Sequence, residues 1–308
     1  RQGTSGPRIM IDAHMDELGG MVRRIRPDGF LSMQMLGGWI TQALPGQRWV
    51  IEGSKGPVPA VTTIWDAHIT TPAQRDRVIP RDAVFLDVGA RNAADVARLG
   101  ITPGDPIVPY SPFEILANQR YVAKAWDDRV GLAVMIEMMK RLAGTALPNQ
   151  LYYAATVQEE IGLRGAITAA QVIKPDIGIA LEVGVPGDVP GTNPELAQEV
   201  LGGGPALFLY DGSELPNQKL VAFIKQVAAA HGIPLQTDLI QGYGDDSAAI
   251  QKSNGGVPTI NLTIPTRYTH AHNSMIDRAD FDRTVDLMVA LVRSLNAAEV
   301  ARLRSFAP

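Results

Sequence analysis

The sequence predicts an α/β protein in which a mixed central sheet is flanked by helices and a small β-barrel-like domain is inserted. From Tyr121 onward, strand and helix patterns alternate, which favours a sheet covered by helices. From about Leu18 to Asn118, short β-like runs are separated by Gly and Pro turn signals, which is typical of a small barrel or sandwich. We therefore expect an α/β domain at residues 1–17 and 119–308 and an inserted β domain at residues 18–118.

Composition narrows the classes of function. The chain has 308 residues, of which 45% are hydrophobic, so it can bury a sizeable core. Its net charge of -4 is spread over charges of both signs, and no apolar run reaches the roughly 20 residues of a membrane helix, so nucleic acid and membrane are poor candidates as partners. The absence of Cys excludes disulfides and thiolate metal ligands and fits a cytoplasmic location. Because a strand follows Arg1 almost at once, we expect a longer natural N-terminus.

A functional site is first indicated by Glu159 and Glu160, which follow the strand-like run Leu151–Ala155. In an open α/β sheet, ligands bind beyond the carboxyl ends of the strands. Two adjacent carboxylates repel each other, so both stay ionised only beside strong positive charge such as a metal ion. One carboxylate could then bind the metal while the other handles a proton. Taken alone, the same motif is more often a solvated turn.

Other apolar runs also end in residue types that bind metals. These runs lead, in chain order, into His14 and Asp16, into Glu182, and into His270. A second carboxylate pair, Asp127 and Asp128, opens a helical pattern, where one carboxylate could cap the helix while the other faces the site. Two histidines and several carboxylates at separate strand ends suit a dinuclear site for divalent metals. Asp16, two residues beyond His14, could orient its imidazole.

Three further features of the sequence are interpreted as parts of the structure rather than of a functional site. His68 lies in a loop-like stretch and is expected at a surface or an interface. The loop Gly242–Ser247 lacks the Lys and Gly spacing of a P-loop, so a phosphate-binding role is weak. The C-terminal pattern from Arg278 to about Arg304 predicts one closing helix that packs on the sheet.

Five motifs in order resemble those of the glutamyl/leucyl aminopeptidases that form tetrahedral dodecamers, a family whose members have also carried the name endoglucanase. The motifs are Ala13-His14-Met15-Asp16-Glu17, Ala125-Trp126-Asp127-Asp128-Arg129, Gln158-Glu159-Glu160 with Gly162, Leu181-Glu182-Val183, and Arg267-Tyr268 with His270. The resemblance covers nearly the whole chain and implies a zinc-exopeptidase-like fold, a homo-oligomer with a dodecamer favoured, and short peptides as substrates.

The resemblance also implies roles for individual residues. His14, Asp127 and Glu182 would bind one metal, and Asp127, Glu160 and His270 the other. Glu159 would be the general base, Asp16 would support His14, and the peptide bond after Asp127 would be cis. The implied cofactors are two divalent ions, with zinc as the first choice and cobalt or manganese as alternatives.

Charge arithmetic agrees with these ligand sets. Two divalent ions bring four positive charges, three ligand carboxylates remove three of them, and a bridging hydroxide neutralises the remainder. We therefore expect a metal-dependent aminopeptidase that hydrolyses N-terminal residues from short peptides, with Glu159 as general base. The alternatives are a dimetal deacylase or amidase acting on small N-acyl compounds, and a catalytically silent binding relative.

The sequence departs from the family pattern in two places. Ala271 and Ser274 stand where Ser and Glu are usual, and His272 is an additional histidine. The usual Gly-Thr-Asp-Ala loop is represented by Gly244-Asp245-Asp246-Ser247. Spacing alone would place His270 and His272 on the same side of an extended chain, so the family pattern is what selects His270. Substrate preference is the property that these departures leave least defined.

Overall fold

A computed structural model describes residues 1–305, which form two compact units. The first, called here the α/β unit, contains residues 1–17, 114–269 and the chain from 274 onward. The second, the barrel unit, contains residues 18–113 and 270–273. Its main segment ends at Phe113 rather than at the expected Asn118, because the strand Glu114–Leu116 pairs with Arg120–Ala123 in the α/β unit.

The strands of the described residues are these: β1 (Arg8–His14), β2 (Gly19–Ile25), β3 (Leu31–Leu36), β4 (Arg48–Gly53), β5 (Gly56–Thr62), β6 (Phe85–Asp87), β7 (Pro106–Pro109), β8 (Glu114–Leu116), β9 (Arg120–Ala123), β10 (Gln150–Thr156), β11 (Ile177–Gly184), β12 (Ala206–Asp211), β13 (Gln236–Ile240), β14 (Thr259–Arg267) and β15 (Ser274–Asp277). The α-helices are these: α1 (Pro72–Arg75), α2 (Ala93–Leu99), α3 (Trp126–Arg141), α4 (Arg164–Ile173), α5 (Gln218–Ala230), α6 (Asp246–Gln251), α7 (Arg278–Ser294) and α8 (Ala297–Arg304).

One mixed sheet forms the centre of the α/β unit, which confirms the predicted fold class. Its strand order is β10-β1-β11-β14-β15-β9-β8, and β12 joins it by pairing with β14 and with β13. The first four strands are parallel, so their carboxyl ends lie at the same edge of the sheet. The register places His14 beside Thr156 and Glu182 beside Thr263. This edge is therefore where the residues that follow the apolar runs collect.

Helices cover both faces of the sheet. Helices α3, α5 and α7 share a large apolar cluster with Ile9 and Ile11 of β1, whereas Met10 joins a smaller cluster with residues of α4 and α6. Neighbouring residues of a strand point to opposite faces, and burial of both faces explains why the parallel strands read as continuous apolar runs. Strand β11 is buried along its entire length.

The predicted closing helix is wrong in one respect, because it is two helices. Helix α7 ends at Ser294 and α8 begins at Ala297. Between them, the side chain of Asn296 accepts a hydrogen bond of 3.0 Å from the N–H of Glu299. An Asn side chain that satisfies a free N–H of the next helix starts that helix anew, which a continuous apolar pattern does not show.

The barrel unit is built on six antiparallel strands that close in the order β2-β3-β6-β5-β4-β7, which confirms the predicted inserted barrel. Large apolar side chains such as Leu31, Trp49 and Ile107 fill its interior. Closure leaves the barrel without free strand edges. Helix α2 occupies Ala93–Leu99, as predicted. Within residues 1–305, no helix combines the length and the apolar character that crossing a membrane requires.

Candidate metal centre

Three chain segments of the α/β unit bring acidic side chains to His14. His14 is the last residue of β1, and Glu182 lies near the end of the adjacent β11. The segment after β10 supplies Glu159 and Glu160, and the first turn of α3 supplies Asp127. Since the three strands are parallel neighbours, the sheet itself determines that these segments meet.

The imidazole of His14 is the centre of the cluster. Its Nε2 lies 3.0 Å from Asp127 Oδ1, 3.4 Å from Glu182 Oε1 and 3.8 Å from Glu159 Oε2. His14, Asp127 and Glu182 each offer one ligand atom, and these atoms all lie within 4.8 Å of one another. The structure thus brings together the three residues that the family resemblance assigns to the first metal.

Asp16 holds two parts of the site through different atoms. His14 Nδ1 donates to the backbone oxygen of Asp16 at 2.9 Å, which leaves Nε2 directed at the acidic groups. The Asp16 carboxylate lies 3.5 Å from the same nitrogen and accepts the N–H groups of Glu159 at 3.2 Å and Glu160 at 3.4 Å. Asp16 therefore orients the imidazole through its carbonyl and the two glutamates through its carboxylate.

The pKa values of Glu159 and Glu160 are both raised far above the usual value for a glutamate side chain. Burial raises the pKa of Glu159 to about 8, with a smaller contribution from the charge of Asp127. Burial and the charge of Asp127 raise the pKa of Glu160 to about 9. The Oε1 atom of Glu160 is buried and has no hydrogen-bond partner within residues 1–305. An acceptor in that state is stable only beside a donor or a cation.

The carboxylates of the cluster outnumber its single imidazole, so they repel one another. Burial, together with the charges of Asp128 and Asp127, raises the pKa of Glu182 well above its usual range. Burial alone would lower the pKa of His14, but the carboxylates of Glu182 and Asp127 raise it well above the usual value. Mutual repulsion of this kind is relieved by a bound cation, and imidazole nitrogen with carboxylate oxygens is a donor set that divalent metals take. The residues present therefore fit a metal.

Asp128 binds the backbone of two elements that carry residues of the site. Its carboxylate accepts the N–H of His14 at 3.2 Å and the N–H of Gly131 at 3.1 Å, so it stabilises both the end of β1 and the start of α3. A Cβ at Gly131 would lie 2.6 Å from this carboxylate, which explains the glycine. The peptide bond between Asp127 and Asp128 is cis.

Sequence reasoning missed several polar side chains around the cluster. The hydroxyl of Tyr243 donates to the backbone oxygen of Val183 at 2.7 Å and lies 3.4 Å from Glu182 Oε2. Thr156 donates to Asp246 at 2.7 Å. The sequence does contain a signal for Asp12, because a carboxylate inside an apolar strand requires a polar partner. In the structure, the hydroxyl of Thr156 lies 3.4 Å from Asp12 Oδ2.

Three of the other histidines, His68, His270 and His272, lie in the barrel unit. His270 Nδ1 is 2.9 Å from the backbone oxygen of Gly38, and its role as a metal ligand stays a prediction. His272 is buried, with its ring centroid 4.3 Å from that of Trp49 and 5.4 Å from that of Trp39. Burial lowers the pKa of His272 to about 4. His272 is therefore a core residue of the barrel, whereas His68 is exposed at the surface, as expected.

Known proteins of similar sequence are aminopeptidases. The family described as M42 glutamyl aminopeptidase matches residues 1–287. The glutamyl aminopeptidase of Lactococcus lactis is 33% identical over 305 residues, which cover 98% of this chain and 84% of the relative. The lysyl aminopeptidase of Pyrococcus furiosus is 34% identical over 297 residues, which cover 94% of this chain and 83% of the relative.

Solved structures give the same assignment. The TET aminopeptidase of the archaeon Thaumarchaeota archaeon SCGC AB-539-E09 superposes with a TM-score of 0.95 at 39% identity and covers 98% of this chain and 85% of its own. The TET1 peptidase of Pyrococcus horikoshii, which can assemble into a tetrahedron or a large octahedral shell, has a TM-score of 0.86 at 28% identity, with coverage of 95% and 86%. The chain therefore belongs to the M42 glutamyl aminopeptidase family and is an aminopeptidase.

Proposed function

We propose that this aminopeptidase removes N-terminal residues from short peptides with two divalent metal ions and Glu159 as its general base. His14, Asp127 and Glu182 would hold one ion. Asp127, Glu160 and His270 would hold the other, with His270 assigned on its sequence pattern alone. The observation that carries the proposal is the convergence of His14, Asp127 and Glu182 ligand atoms within 4.8 Å, in a place where burial and neighbouring carboxylates raise the pKa of Glu182.

Divalent ions bound there would polarise the scissile carbonyl and make a water molecule more acidic. Glu159 suits proton transfer because its Oε2 lies beside the cluster, 3.8 Å from His14 Nε2. Its pKa of about 8 in the absence of cations would fall toward neutrality when positive charge is present. The carboxylate could then take a proton from water and deliver it to the leaving amine.

The same acidic surroundings suit a substrate with a free, positively charged α-amino group. The two similar relatives are named for opposite side-chain charges, glutamyl and lysyl, so neither preference is carried over. Zinc is the proposed metal, with cobalt or manganese as alternatives, and the cytoplasm is the proposed location. We also propose a closed homo-oligomer, by analogy with the tetrahedron or octahedral shell of the Pyrococcus horikoshii TET1 peptidase, and the family resemblance favours a dodecamer.

Metal removal tests the proposal directly. The protein is dialysed against a chelator, and activity is measured on aminoacyl chromogenic substrates before and after addition of zinc, cobalt or manganese. Activity should vanish with the metal and return with it, and N-acetylated substrates should resist cleavage. Full activity after verified metal removal would refute the mechanism, and equal cleavage of blocked substrates would favour the deacylase alternative.

A matched pair of histidine variants tests the location of the site. His14→Ala removes the central ligand and should abolish metal binding at the first position together with nearly all activity. His231→Ala removes an exposed imidazole at the C-terminal end of α5, outside the cluster, and should change neither property. Metal content measured on both purified proteins decides the outcome, and retention of full metal content by His14→Ala would contradict the assignment.

A further inference from the structure

The segment Gly242–Ser247, which runs from the loop after β13 into the first turn of α6, has no role in the function proposed above, yet its side chains contact strands of the sheet that carries the candidate ligands. Its contacts with side chains or backbone of neighbouring strands are Tyr243 with Val183 and Glu182 of β11, Asp245 with Asn261 of β14, and Asp246 with Thr156 of β10. This one segment is therefore bonded to three strands of the sheet, β10, β11 and β14, at the edge where the ligands collect.

The base of the loop is fixed by its two aspartates, which are both buried. Asp245 caps α6 by accepting the N–H of Ser247 at 2.7 Å, and its other oxygen accepts from Asn261 Nδ2 at 2.7 Å. Asp246 accepts from Thr156 at 2.7 Å. These bonds hold Tyr243 in a defined position, and its ring packs edge-on against Phe208 with the centroids 4.9 Å apart.

The contacts of Glu182 differ between its two oxygens. Oε2 accepts the N–H of Val183 at 3.0 Å and lies 3.4 Å from the hydroxyl of Tyr243. Oε1 lies 3.4 Å from Nε2 of His14, on the side of the ligand cluster. The shortest bond of the Tyr243 hydroxyl, 2.7 Å, goes to the carbonyl of Val183, so it also fixes the backbone next to the ligand.

We propose that Tyr243 is a positioning residue of the metal centre, which holds the end of β11 and the Oε2 side of Glu182 so that Oε1 faces the metal beside His14 and Asp127. This inference rests on the metal-dependent function proposed above. Groups that orient a ligating carboxylate typically contribute about 10- to 100-fold to metal affinity. Tyr243 acts through Glu182 and not by contact with the reacting atoms.

Tyr243→Phe tests the hydroxyl because it keeps the ring and its packing against Phe208. Tyr210→Phe, in β12, is the matched control, since that side chain is partly exposed and the same atom is removed away from the site. Zinc affinity is measured by competition with a chromogenic chelator, and the melting temperature of the metal-free protein is measured in parallel. We expect zinc to bind about 10- to 100-fold more weakly to Tyr243→Phe than to the wild type. The zinc affinity of Tyr210→Phe and the melting temperatures of both metal-free variants should equal the wild-type values.

Unchanged zinc affinity in Tyr243→Phe overturns the inference, whereas a wild-type protein that binds none of zinc, cobalt and manganese overturns the proposed function itself. If Tyr243→Phe lowers both the affinity and the melting temperature, the Glu182→Gln background separates the causes. If the hydroxyl acts through Glu182, its removal from the Glu182→Gln protein should lower the zinc affinity only slightly, by about twofold or less. An equal loss in both backgrounds would mean a general structural role and would overturn the inference.

Discussion

Glu159 and Glu160 are neighbours in the chain, but their carboxylates have different surroundings. Glu160 has a buried oxygen without a hydrogen-bond partner in the described part of the chain, which is the state expected of a ligand atom that awaits a cation. Glu159 Oε2 instead lies at the margin of the His14 cluster. The Asp16 carboxylate accepts both backbone N–H groups, so it fixes this difference in orientation.

Replacement of Glu159 by Gln should separate catalysis from metal binding. The substitution keeps the shape of the side chain but removes its ability to accept a proton. Turnover should fall by roughly 10²- to 10⁴-fold, the usual contribution of general-base catalysis, while metal content stays unchanged. Steady-state kinetics and elemental analysis of the same preparation check this. Loss of metal from Glu159→Gln would show that Glu159 is a ligand instead.

His270 and His272 should respond differently to replacement by Ala. His270→Ala should lose the second metal and most activity if the sequence pattern assigns the ligand correctly. His272→Ala should keep both metals, because its ring is buried against Trp39 and Trp49, and should destabilise the barrel unit by about 2–4 kcal/mol, as other large-to-small core substitutions do. One metal in His272→Ala and two in His270→Ala would reverse the assignment.

At the residue scale, the sequence points to groups that end apolar runs and misses groups that complete them from a distance. His14 and Glu182 are visible because each ends or follows an apolar strand pattern. Tyr243 is not, since its contact with Val183 depends on how distant strands and loops are arranged in three dimensions. Asp16 was expected to act through its carboxylate alone, and the use of its carbonyl depends on a local backbone turn that spacing does not encode.

At the element scale, β14 carries two chemically different faces. Ile260, Leu262 and Ile264 belong to the large apolar core. The alternate residues Thr259, Asn261 and Thr263 each donate a hydrogen bond to a buried acidic side chain, respectively of Glu214, Asp245 and Glu199. The strand therefore anchors three separate loop segments, and one of its polar residues, Thr263, lies beside Glu182 in the register.

Glu199, which accepts a hydrogen bond from Thr263 on the polar face of β14, should make the stability of the protein depend on pH. Burial raises its pKa from 4.5 to about 8. Between these two pH values the folded protein retains a proton that the unfolded chain releases, so the free energy of unfolding falls as pH rises, by at most about 1.4 kcal/mol per pH unit from this group. Glu199→Gln should flatten that slope, whereas Glu195→Gln, at an exposed position, should not. Urea unfolding of the metal-loaded proteins from pH 5 to pH 8 measures the difference, and equal slopes would contradict the prediction.

Elements with strong local signals were predictable in position as well as in type. Helix α2 begins after Asn92, whose side chain accepts the N–H of Asp95 at 3.0 Å, and ends at Gly100 in a left-handed conformation. Both signals stand in the sequence. The break at Asn296 carries the same kind of signal, but the apolar pattern on both sides of it conceals the interruption.

At the scale of the whole molecule, each unit buries its own apolar core, but the barrel unit also exposes large apolar side chains. Ile64, Trp65, Ile69 and Val78 are 45–85% exposed and lie in one segment, residues 64–78. Exposed apolar groups that cluster on a protein commonly mark an interaction surface. The barrel also contributes none of the three clustered ligands His14, Asp127 and Glu182. Both facts agree with a role for this unit in assembly.

We therefore expect the closed homo-oligomer to depend on the segment of residues 64–78. A charged group at a buried subunit contact is costly, so the double variant Ile64→Asp and Ile69→Asp should dissociate into smaller species at micromolar concentration. Val172→Asp places the same charge at an exposed apolar position of α4 and should leave the assembly intact. Light scattering coupled to size-exclusion chromatography measures the mass of each species. A wild-type monomer would refute the closed oligomer, and dissociation of Val172→Asp alone would place the contact on the α/β unit.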